Sequence, residues 1–392
     1  MRPKLDLRTT VVHAAKLYPP AGGGMETVLR DLCDGTAGDW NVRVVAANDS
    51  RATVRERCGT VDVVRVAAFG QAASVPLCPS LPLELWGRRA DSVVLHEPNP
   101  IAGTALFLRT PAPRLVIWHH SDLVRPWWAQ ATYGRVVQHA LYRRADCVIV
   151  SSPALAAASA LVQHARRVAV IPFGVPLERY DHVDGARRSR VDQVVAAVPG
   201  PRMLFVGRLV YYKGLDVLLD AMGRCEGSLV IVGEGPLEGA LRALVTERRL
   251  AARVLFAGRV SDADLPAFYQ ACDVFVLPSI ARTEAFGVVQ IEAMAAGRPV
   301  VSTRLPTGVP WVNQDGISGL VVTPGDPVAL GDALRRLLDD ASLRRRLGEG
   351  ARQRARTMFS RERMVATFKS LIETVVQSPE LLDERLAREV VV

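Results

Sequence analysis

Residues 274–302 read VFVLPSIARTEAFGVVQIEAMAAGRPVVS, and the fold prediction starts from this stretch. Four apolar residues, Val274–Leu277, predict a buried strand, and Pro299–Ser302 predicts another. Between them lie a loop that holds Glu284 and a helical pattern over Val289–Ala295. A strand, a helix and a second strand in so short a stretch are typical of a parallel sheet that is covered by helices.

The same alternation recurs in two series along the chain. The first series contains predicted strands that are each followed by a loop and a helix-like segment: Thr9–Ala15, Val42–Ala47, Val93–His96, Leu115–His119 and Cys147–Ser151. The second series contains, besides the two strands above, Arg202–Val206, Ser228–Val232, Arg253–Ala257 and Gly319–Val322. Its other predicted helices are Leu215–Met222, Leu237–Arg248, Asp264–Ala271 and Val328–Leu347. We therefore predict an α/β protein with two doubly wound, Rossmann-like domains.

A polar segment between the two series gives the predicted domain boundary. Residues 181–201 are rich in charge and end in Pro199-Gly200-Pro201, a sequence that favours a turn. We predict a first domain over 1–195, a second over 196–358, and a helix (Arg361–Val375) with a short tail over 359–392. Doubly wound sheets bind ligands at the carboxyl ends of their strands, so the residues just after the strands are the candidates for a site.

Composition and charge limit the kinds of partner. The 392 residues are 49% hydrophobic and 23% charged, which is a globular composition. The net charge of +9 favours anionic partners such as phosphates or an anionic membrane surface. No nucleic-acid-binding signature occurs, so we expect no nucleic acid partner. Scattered cysteines without a CxxC pair predict a reducing compartment without a zinc site. We find no signal peptide or membrane-spanning stretch and expect a cytoplasmic protein, soluble or peripheral.

The opening stretch also carries the strongest chemical motif. The helix that begins near Phe286-Gly287 offers free backbone N–H groups that suit a phosphate. Glu292, two turns along, suits the two hydroxyls of a ribose, and Glu284, in the loop, suits the hydroxyls of a sugar. The alternative is two solvated glutamates, and it is disfavoured because the whole block must be explained together.

A second motif follows the strand Arg202–Val206. Gly207 ends the strand, and the cations Arg208 and Lys213 follow five residues apart. A guanidinium fork and a point charge together suit a diphosphate leaving group and would neutralise its charge without a metal. The alternative interpretation is a pair of solvated surface cations.

Two weaker motifs lie in the first half. Gly22-Gly23-Gly24 separates a strand from a helix, where glycines let a ligand approach the backbone. It lacks the GxGxxG pattern, which disfavours a dinucleotide, and an ordinary flexible loop is the alternative. His119 and His120 end a strand, where a histidine either bonds a ligand near neutral pH or only caps the strand. No partner lies at metal-ligand spacing, so we expect no metal.

The stretch EAFGVVQIEAMAAGRPVV, with Glu284-x7-Glu292, resembles the EX7E motif of retaining GT-B glycosyltransferases of group 1 and family 4. The other segments occur in the order that this family shows, and the resemblance covers nearly the whole chain. It implies two Rossmann-like domains that face across a cleft, with the helix Arg361–Val375 crossing back onto the first. It also implies a nucleotide sugar as donor, transfer with retention, and no metal or other cofactor.

The resemblance implies a role for each matching residue. Arg208 and Lys213 would hold the donor diphosphate, Glu292 the ribose and Glu284 the transferred sugar. His120, or His119 if the match shifts by one, would bond the sugar beside the reaction centre. Backbone groups of Phe286, Gly287 and Val288 would contact phosphate or sugar. The backbone of Val260 would contact the nucleobase, and that of Gly23 and Gly24 the diphosphate or the acceptor. Trp311 stands where many members have a glutamate, which resembles a subset that acts in surface polysaccharide assembly.

That subset suggests GDP-mannose as donor, with a UDP-hexose as the alternative, and a glycan or lipid-linked saccharide as acceptor. A basic, aromatic segment supports a membrane-linked acceptor: Leu123–Trp128 followed by Arg135, His139, Tyr142, Arg143 and Arg144. It predicts peripheral contact with an anionic membrane at the inner face of the cytoplasmic membrane. The alternative is an ordinary amphipathic helix. Two other classes of protein stay open: an epimerase or phosphorylase on the same fold, and a silent paralogue that serves as a binding subunit.

Overall fold

A computed structural model describes residues 8–20, 23–72, 75–87, 89–122 and 130–389. The chain forms two compact units. The first unit combines the residues up to Pro172 with those from Arg361 onward, and the second spans Phe173–Ser360.

The first unit is built on an eight-stranded sheet with the order β10-β9-β8-β7-β1-β2-β4-β3. Its strands are β1 (Thr10–Ala14), β2 (Asn41–Ala47), β3 (Val54–Cys58), β4 (Val61–Val66), β7 (Ser92–Glu97), β8 (Arg114–His119), β9 (Cys147–Val150) and β10 (Val168–Val170). All neighbours pair in parallel except β3, which is antiparallel to β4 at the edge. A small separate hairpin pairs β5 (Gln71–Ala72) with β6 (Val75–Pro76). The chain order reverses between β1 and β7, which is therefore the switch point of this sheet.

The second unit is built on a six-stranded parallel sheet with the order β13-β12-β11-β14-β15-β16. Its strands are β11 (Arg202–Val206), β12 (Ser228–Val232), β13 (Val254–Gly258), β14 (Val274–Leu277), β15 (Val300–Thr303) and β16 (Gly319–Val322). The switch point lies between β11 and β14. Both β12 and β14 are buried along their full length, as expected of a parallel sheet with helices on both faces.

Helices connect the strands and cover the sheets. Those of the first unit are α1 (Gly24–Thr36), α2 (Leu81–Trp86), α3 (Pro100–Leu108), a π-helix (Gln130–Gln138) that continues into α4 (His139–Arg144), α5 (Pro153–Ala158), α15 (Arg361–Gln377) and α16 (Leu382–Glu389). Those of the second unit are α6 (Glu178–Asp181), α7 (Gly185–Val195), α8 (Leu215–Ala221), α9 (Glu238–Glu247), α10 (Leu265–Ala271), α11 (Val288–Ala295), α12 (Val309–Val312), α13 (Pro327–Asp339) and α14 (Ala341–Met358). Single 3₁₀ turns occupy Val162–His164, Tyr211–Lys213, Met222–Arg224 and Pro379–Leu381.

The division between the units corrects the predicted boundary at 195/196. The chain passes into the second unit after Pro172. The polar segment over 181–201, which was predicted to separate the domains, lies within the second unit and is not a linker. It forms α7, whose Val191 and Val195 are buried and whose Arg188 bonds the side chain of Gln270 on α10. At the far end, α15 belongs to the first unit, where it packs against α1.

Two further details differ from the sequence prediction. The predicted helix over 328–347 is two helices, because Asp340 ends α13 and its side chain caps α14 by accepting from the backbone N–H groups of Ser342 and Leu343 at 2.9 Å. The hairpin of β3 and β4 and the short strand β10 were not predicted. No helix among the described residues is long and apolar enough to span a bilayer.

Candidate functional site

The switch point of the second unit brings two loops together. β11 and β14 pair in parallel, so the loops that leave them begin at the same edge of the sheet. The backbone N–H of Ile280 donates to the carbonyl of Tyr212 at 2.8 Å and ties one loop to the other. Gly214 makes this approach possible: its φ is +64°, and a Cβ there would lie 2.3 Å from the carbonyl oxygen of Pro278.

These loops carry two of the predicted site residues into direct contact. The Nζ of Lys213 lies 2.5 Å from Oε2 of Glu284, and each side chain is only 10% exposed. The hydroxyl of Ser279 donates to the same carboxylate oxygen at 3.1 Å. The hydrogen bond from Ser279 and the ion pair hold both side chains in fixed positions. Because little water surrounds the pair, its charges are weakly screened and would interact strongly with a polar ligand.

Arg208 and the start of α11 offer unused hydrogen-bond donors near this pair. The guanidinium of Arg208 is exposed and forms no ion pair or hydrogen bond with any residue that the structure describes. Gly287 caps α11 in the left-handed conformation, with φ 73°. The backbone N–H groups of Phe286, Gly287 and Val288 donate no hydrogen bond within the described part of the chain. This edge of the sheet is therefore suited to an anion.

Because the helix begins at Val288, Glu292 lies one helical turn beyond that start and not two as predicted, and it is partly buried. Its Oε2 accepts a hydrogen bond from the hydroxyl of Tyr269 at 2.7 Å. Burial nevertheless raises the pKa of Glu292 to about 7. Val260 follows β13 at the same edge of the sheet and is partly buried, and its predicted contact with a nucleobase stays a prediction.

Trp311 takes part in an aromatic cluster instead of presenting an acid. Its ring lies 6.2 Å from Phe286 and 5.5 Å from Phe359, centroid to centroid. Arg354 lies over the Trp311 ring and donates to its carbonyl at 2.6 Å. This cluster holds Phe286, which is 2% exposed, at the start of α11, so the ring of Phe286 has a packing role and only its backbone is free for a ligand.

The switch point of the first unit contains a cavity of about 100 Å³. Residues at or just after the ends of β1, β7 and β8, together with residues of the first half of α1, line it: Ala15, Lys16, Leu17, Met25, Glu26, Leu29, His96, Glu97, Pro98, His120 and Ser121. The sheet thus places this cavity where its topology predicts a ligand.

His120, and not His119, lines this cavity. His119 is 0% exposed and its Nδ1 lies 2.6 Å from the hydroxyl of Tyr142 in the core. His120 contacts His96, with 3.0 Å between Nε2 of His120 and Nδ1 of His96. Burial lowers the pKa of His120 to about 3, so its ring is neutral at physiological pH. Of the two histidines, His120 is therefore the one that reaches this cavity, and its predicted bond to a sugar stays a prediction.

The glycine loop before α1 is only partly described, because Ala21 and Gly22 lie outside the described residues. Gly23 caps α1, and its N–H donates to the carboxylate of Glu26 at 2.7 Å. A Cβ on Gly24 would meet nothing within 4 Å. Packing within the described residues therefore does not require Gly24, and the proposed contact of Gly23 and Gly24 with a ligand stays a prediction.

The basic, aromatic segment is described only from its second half, since Leu123–Trp128 lies outside the described residues. Tyr142 is 0% exposed, so this part of the hypothesis is wrong: its ring belongs to the core and not to a membrane-facing surface. Arg135 and Arg143 are exposed. Arg144 bonds the carbonyl of Leu106 near the end of α3, which is a structural role.

Sequence reasoning missed several polar residues at the first switch point. Glu97, 0% exposed, accepts hydrogen bonds from Tyr133, from Gln138 of the π-helix and from the N–H of Asn99. Burial raises the pKa of its carboxyl. His13 and His96 lie within predicted strands, and a histidine or glutamate in an otherwise apolar strand was the available signal. In the described ranges, no three His, Cys, Asp or Glu side chains converge as metal ligands would.

Two parallel α/β units, each with a polar site at its switch point, define a GT-B enzyme. Glycosyltransferase Family 4 matches residues 22–179 and Glycosyl transferases group 1 matches residues 190–354. O-antigen chain mannosyltransferase C of Escherichia coli is 32% identical over 377 residues, 94% of this chain and 99% of that protein. D-rhamnosyltransferase WbpZ of Pseudomonas aeruginosa is 32% identical over 358 residues, 89% and 92% of the two chains.

A solved structure agrees with this class. Sucrose-phosphate synthase of Thermosynechococcus elongatus superposes with a TM-score of 0.76 at 24% identity, over 94% of this chain and 99% of that one. This chain belongs to the glycosyltransferases of group 1 and family 4 and is an enzyme with the GT-B fold, as the EX7E resemblance implied.

Proposed function

We propose that this glycosyltransferase transfers a hexose, in the first place mannose from GDP-mannose, to a glycan or a lipid-linked saccharide during the assembly of a cell-surface polysaccharide. The observation that carries the proposal is the buried pair of Lys213 and Glu284, beside the unpaired Arg208 and the free N–H groups of Phe286–Val288. Cations, amides and a carboxylate at one switch point match a diphosphate attached to a sugar. The names of the two relatives, a mannosyltransferase of the O-antigen chain and a rhamnosyltransferase, support a deoxyhexose or hexose donor.

Each group has a chemical task in this proposal. Arg208 and Lys213 neutralise the diphosphate as the glycosidic bond breaks, which stabilises the charge that develops in the transition state. Glu284 accepts hydrogen bonds from the sugar hydroxyls, and Glu292 from those of the ribose. His120 donates a hydrogen bond to the sugar beside the reaction centre.

The resemblance to retaining GT-B enzymes supplies the stereochemical proposal, and the two cations support the proposal about metal. The acceptor hydroxyl attacks on the face from which the diphosphate departs, and the leaving phosphate takes its proton, so the configuration at the anomeric carbon is retained. Because the two cations supply the positive charge, we propose that no metal is needed.

Glu292 makes donor binding depend on pH. Its pKa of about 7 means that it is mostly protonated at pH 6 and mostly ionised at pH 8. Only the carboxylate accepts from both ribose hydroxyls, and its ionised fraction rises from about 10% to about 90% between these values. We therefore expect donor affinity to increase about tenfold from pH 6 to pH 8, measured by calorimetric titration with GDP-mannose, whose diphosphate stays ionised throughout.

The matched variant is Glu292→Gln, which keeps the size of the side chain and removes its titration. We expect this variant to bind weakly and with the same affinity at both pH values. An equal pH dependence in wild type and Glu292→Gln would remove Glu292 from the ribose site.

A panel of nucleotide sugars tests the proposed function. The purified protein is incubated with GDP-mannose, GDP-rhamnose and UDP-hexoses in the presence of EDTA, with and without glycan acceptors, and released nucleoside diphosphate is measured. We expect release from GDP-mannose that an acceptor accelerates and that Glu284→Ala and Lys213→Ala abolish. Release of nucleoside diphosphate from UDP-hexoses but not from GDP-mannose would identify a UDP-hexose as the donor. Release that needs added metal would overturn the metal-independent chemistry. A donor that binds without turnover under any acceptor would favour the silent paralogue.

We also propose that the enzyme works in the cytoplasm at the inner face of the membrane, where a lipid-linked acceptor would be found. The net charge of +9 and the exposed Arg135 and Arg143 support this placement. Sedimentation with anionic liposomes tests it: the protein should pellet at low salt and stay in the supernatant with neutral liposomes. Equal partition with both kinds of liposome would contradict it.

A further inference from the structure

Two polar side chains without a partner line the cavity of the first unit. Lys16 follows β1 and Ser121 follows β8, so both lie at the carboxyl end of the sheet, on either side of the end of β7. The ammonium group of Lys16 and the hydroxyl of Ser121 form no hydrogen bond or ion pair with any residue that the structure describes. A cation and a hydroxyl in this position indicate a ligand that the protein itself does not supply.

The backbone that carries Lys16 is held by two neighbouring strands. The N–H of Ala47, at the end of β2, donates to the carbonyl of Lys16 at 3.1 Å. Arg65 on β4 is buried and donates to the carbonyl of Tyr18 at 2.8 Å and to that of Pro19. The segment that leaves β1 is therefore fixed, so less conformational entropy is lost when a ligand binds to Lys16.

The charge of Lys16 is not offset by the acids that line the cavity. Burial lowers the pKa of Lys16 from its usual value, although the charge of Glu26 acts in the opposite direction. Glu26 forms no ion pair with Lys16, and its carboxylate accepts from the N–H of Gly23 at 2.7 Å. Glu97 already accepts hydrogen bonds from three donors. An anion in the cavity would therefore stabilise the ammonium group of Lys16.

The composition of the chain supports a specific role for this lysine. Of the 49 basic residues only four are lysines: Lys4, Lys16, Lys213 and Lys369. Arginine is therefore the usual cation of this protein, and two of the four lysines lie at the two switch points. An ammonium group is a compact point charge that suits a phosphate in a small space, whereas a guanidinium needs room for its planar fork.

We propose that Lys16 and Ser121 bind a phosphate group of a substrate, Lys16 through its charge and Ser121 through its hydroxyl. The cavity of about 100 Å³ is much smaller than the about 300–1,000 Å³ of pockets that enclose a whole small ligand, so it takes one group of a larger one. This inference rests on the proposed function, in which the nucleotide sugar carries phosphate, as does a saccharide linked to a lipid through phosphate. Because the second unit already offers Arg208 and Lys213 to the donor, we expect the acceptor to be the source.

Three variants separate the charge of Lys16 from its packing. Lys16→Met keeps most of the length of the side chain and removes the charge, whereas Lys16→Arg keeps the charge. Lys369→Met is the matched control, because it removes a lysine of the same unit that pairs with Asp39 on the surface. A purely structural role for the half-buried side chain would make methionine at least as well tolerated as arginine. A phosphate site makes arginine the better replacement.

NMR of the full-length protein with ¹³C-labelled lysine measures phosphate binding without turnover. The four lysines give four sets of ε-methylene signals, and Lys16→Arg identifies that of Lys16. Inorganic pyrophosphate is the probe, with sodium chloride of equal ionic strength as the reference. We expect the Lys16 signal to shift until it saturates, and the Lys369 signal to change no more than it does in sodium chloride. A Lys16 signal that behaves like that of Lys369 would overturn the proposal, whether or not the protein turns over any donor.

Kinetics and calorimetric titration identify the source of the phosphate. The same saccharide is offered as acceptor with and without a lipid phosphate. We expect Lys16→Met to raise KM about 10- to 100-fold for the phosphate-bearing acceptor only, and Lys16→Arg and Lys369→Met to change it much less.

The other outcomes are distinguishable. A loss of affinity for the nucleoside diphosphate in Lys16→Met would assign the site to the donor. An equal rise in KM for both acceptors, or no change in KM and in nucleotide affinity, would overturn the phosphate site and leave the proposed glycosyl transfer intact. If no acceptor is turned over, the proposed transfer fails, and the NMR titration still decides whether Lys16 binds phosphate.

Discussion

Replacing Lys213 with methionine should lower kcat/KM for the donor by about 10³-fold, the effect of removing one preorganised charge-stabilising group from a transition state. The variant should also be less stable. Lys213 and Glu284 are each only 10% exposed, so the change leaves a buried carboxylate with no cation beside it. Breaking a buried pair by removing one partner costs about 3–5 kcal/mol, here reduced by the remaining hydrogen bond from Ser279. Urea unfolding and steady-state kinetics measure the two effects.

A double variant separates the two effects. Lys213→Met combined with Glu284→Gln removes both charges, so most of the lost free energy of unfolding should return, while kcat/KM stays at least about 10³-fold below that of wild type. Arg248→Met is the control: it breaks exposed ion pairs with Asp220 and Glu247 at the end of α9, on the opposite edge of the sheet. Because these pairs are screened by solvent, this control should leave the free energy of unfolding and kcat/KM nearly unchanged. Recovery of activity in the double variant would mean that Lys213 only neutralises Glu284.

Replacing Gly214 with alanine should be nearly as damaging, although it removes no polar group. The added Cβ would lie 2.3 Å from the carbonyl oxygen of Pro278, so the loops that follow β11 and β14 must separate. The left-handed conformation costs about 1–2 kcal/mol for a residue with a Cβ. The overlap adds about 1–3 kcal/mol. Because Lys213 and Glu284 lie on the two loops, we also expect kcat/KM to fall at least about 100-fold.

Two other glycines of the same unit serve as controls. Gly325 has φ of +73° and open space around it, so Gly325→Ala should show the conformational cost alone, about 1–2 kcal/mol. Gly223 has open space and no positive φ, so Gly223→Ala should be nearly neutral. Thermal unfolding of the three variants gives the order. If Gly214→Ala lost no more stability and activity than Gly325→Ala, the close approach of the two loops would not be needed.

Most of the sheet strands could be predicted from sequence because a strand buried on both faces is a short run of Val, Ile and Leu. Val274–Leu277 and Ser228–Val232 have the same bounds in the prediction and in the structure. The edge strand β3 escaped prediction because its residues are mostly exposed and polar. The unit boundary was misplaced for a related reason: α7 buries only two valines, so its sequence looks like a polar linker.

Site residues that are close in sequence could be predicted, whereas contacts between residues far apart in sequence could not. Glu284, the start of α11 and Glu292 are neighbours in sequence, so one motif predicts them together. The contact between Lys213 and Glu284 joins residues 71 positions apart and follows from the pairing of β11 with β14. The contacts of His96 with His13 and with His120 join residues that are 83 and 24 positions apart, on or just after three strands whose order and register no local pattern displays.

Calorimetric titration with GDP and with UDP, at pH 8 and in EDTA, tests most directly whether the switch point of the second unit is the nucleotide site. One of the two diphosphates should bind wild type and Arg248→Met with equal affinity. It should bind Lys213→Met and Glu292→Gln at least about tenfold more weakly, since each loses a charged contact with the ligand. Wild-type affinity in both site variants would place the nucleotide elsewhere and contradict the assignment of this site.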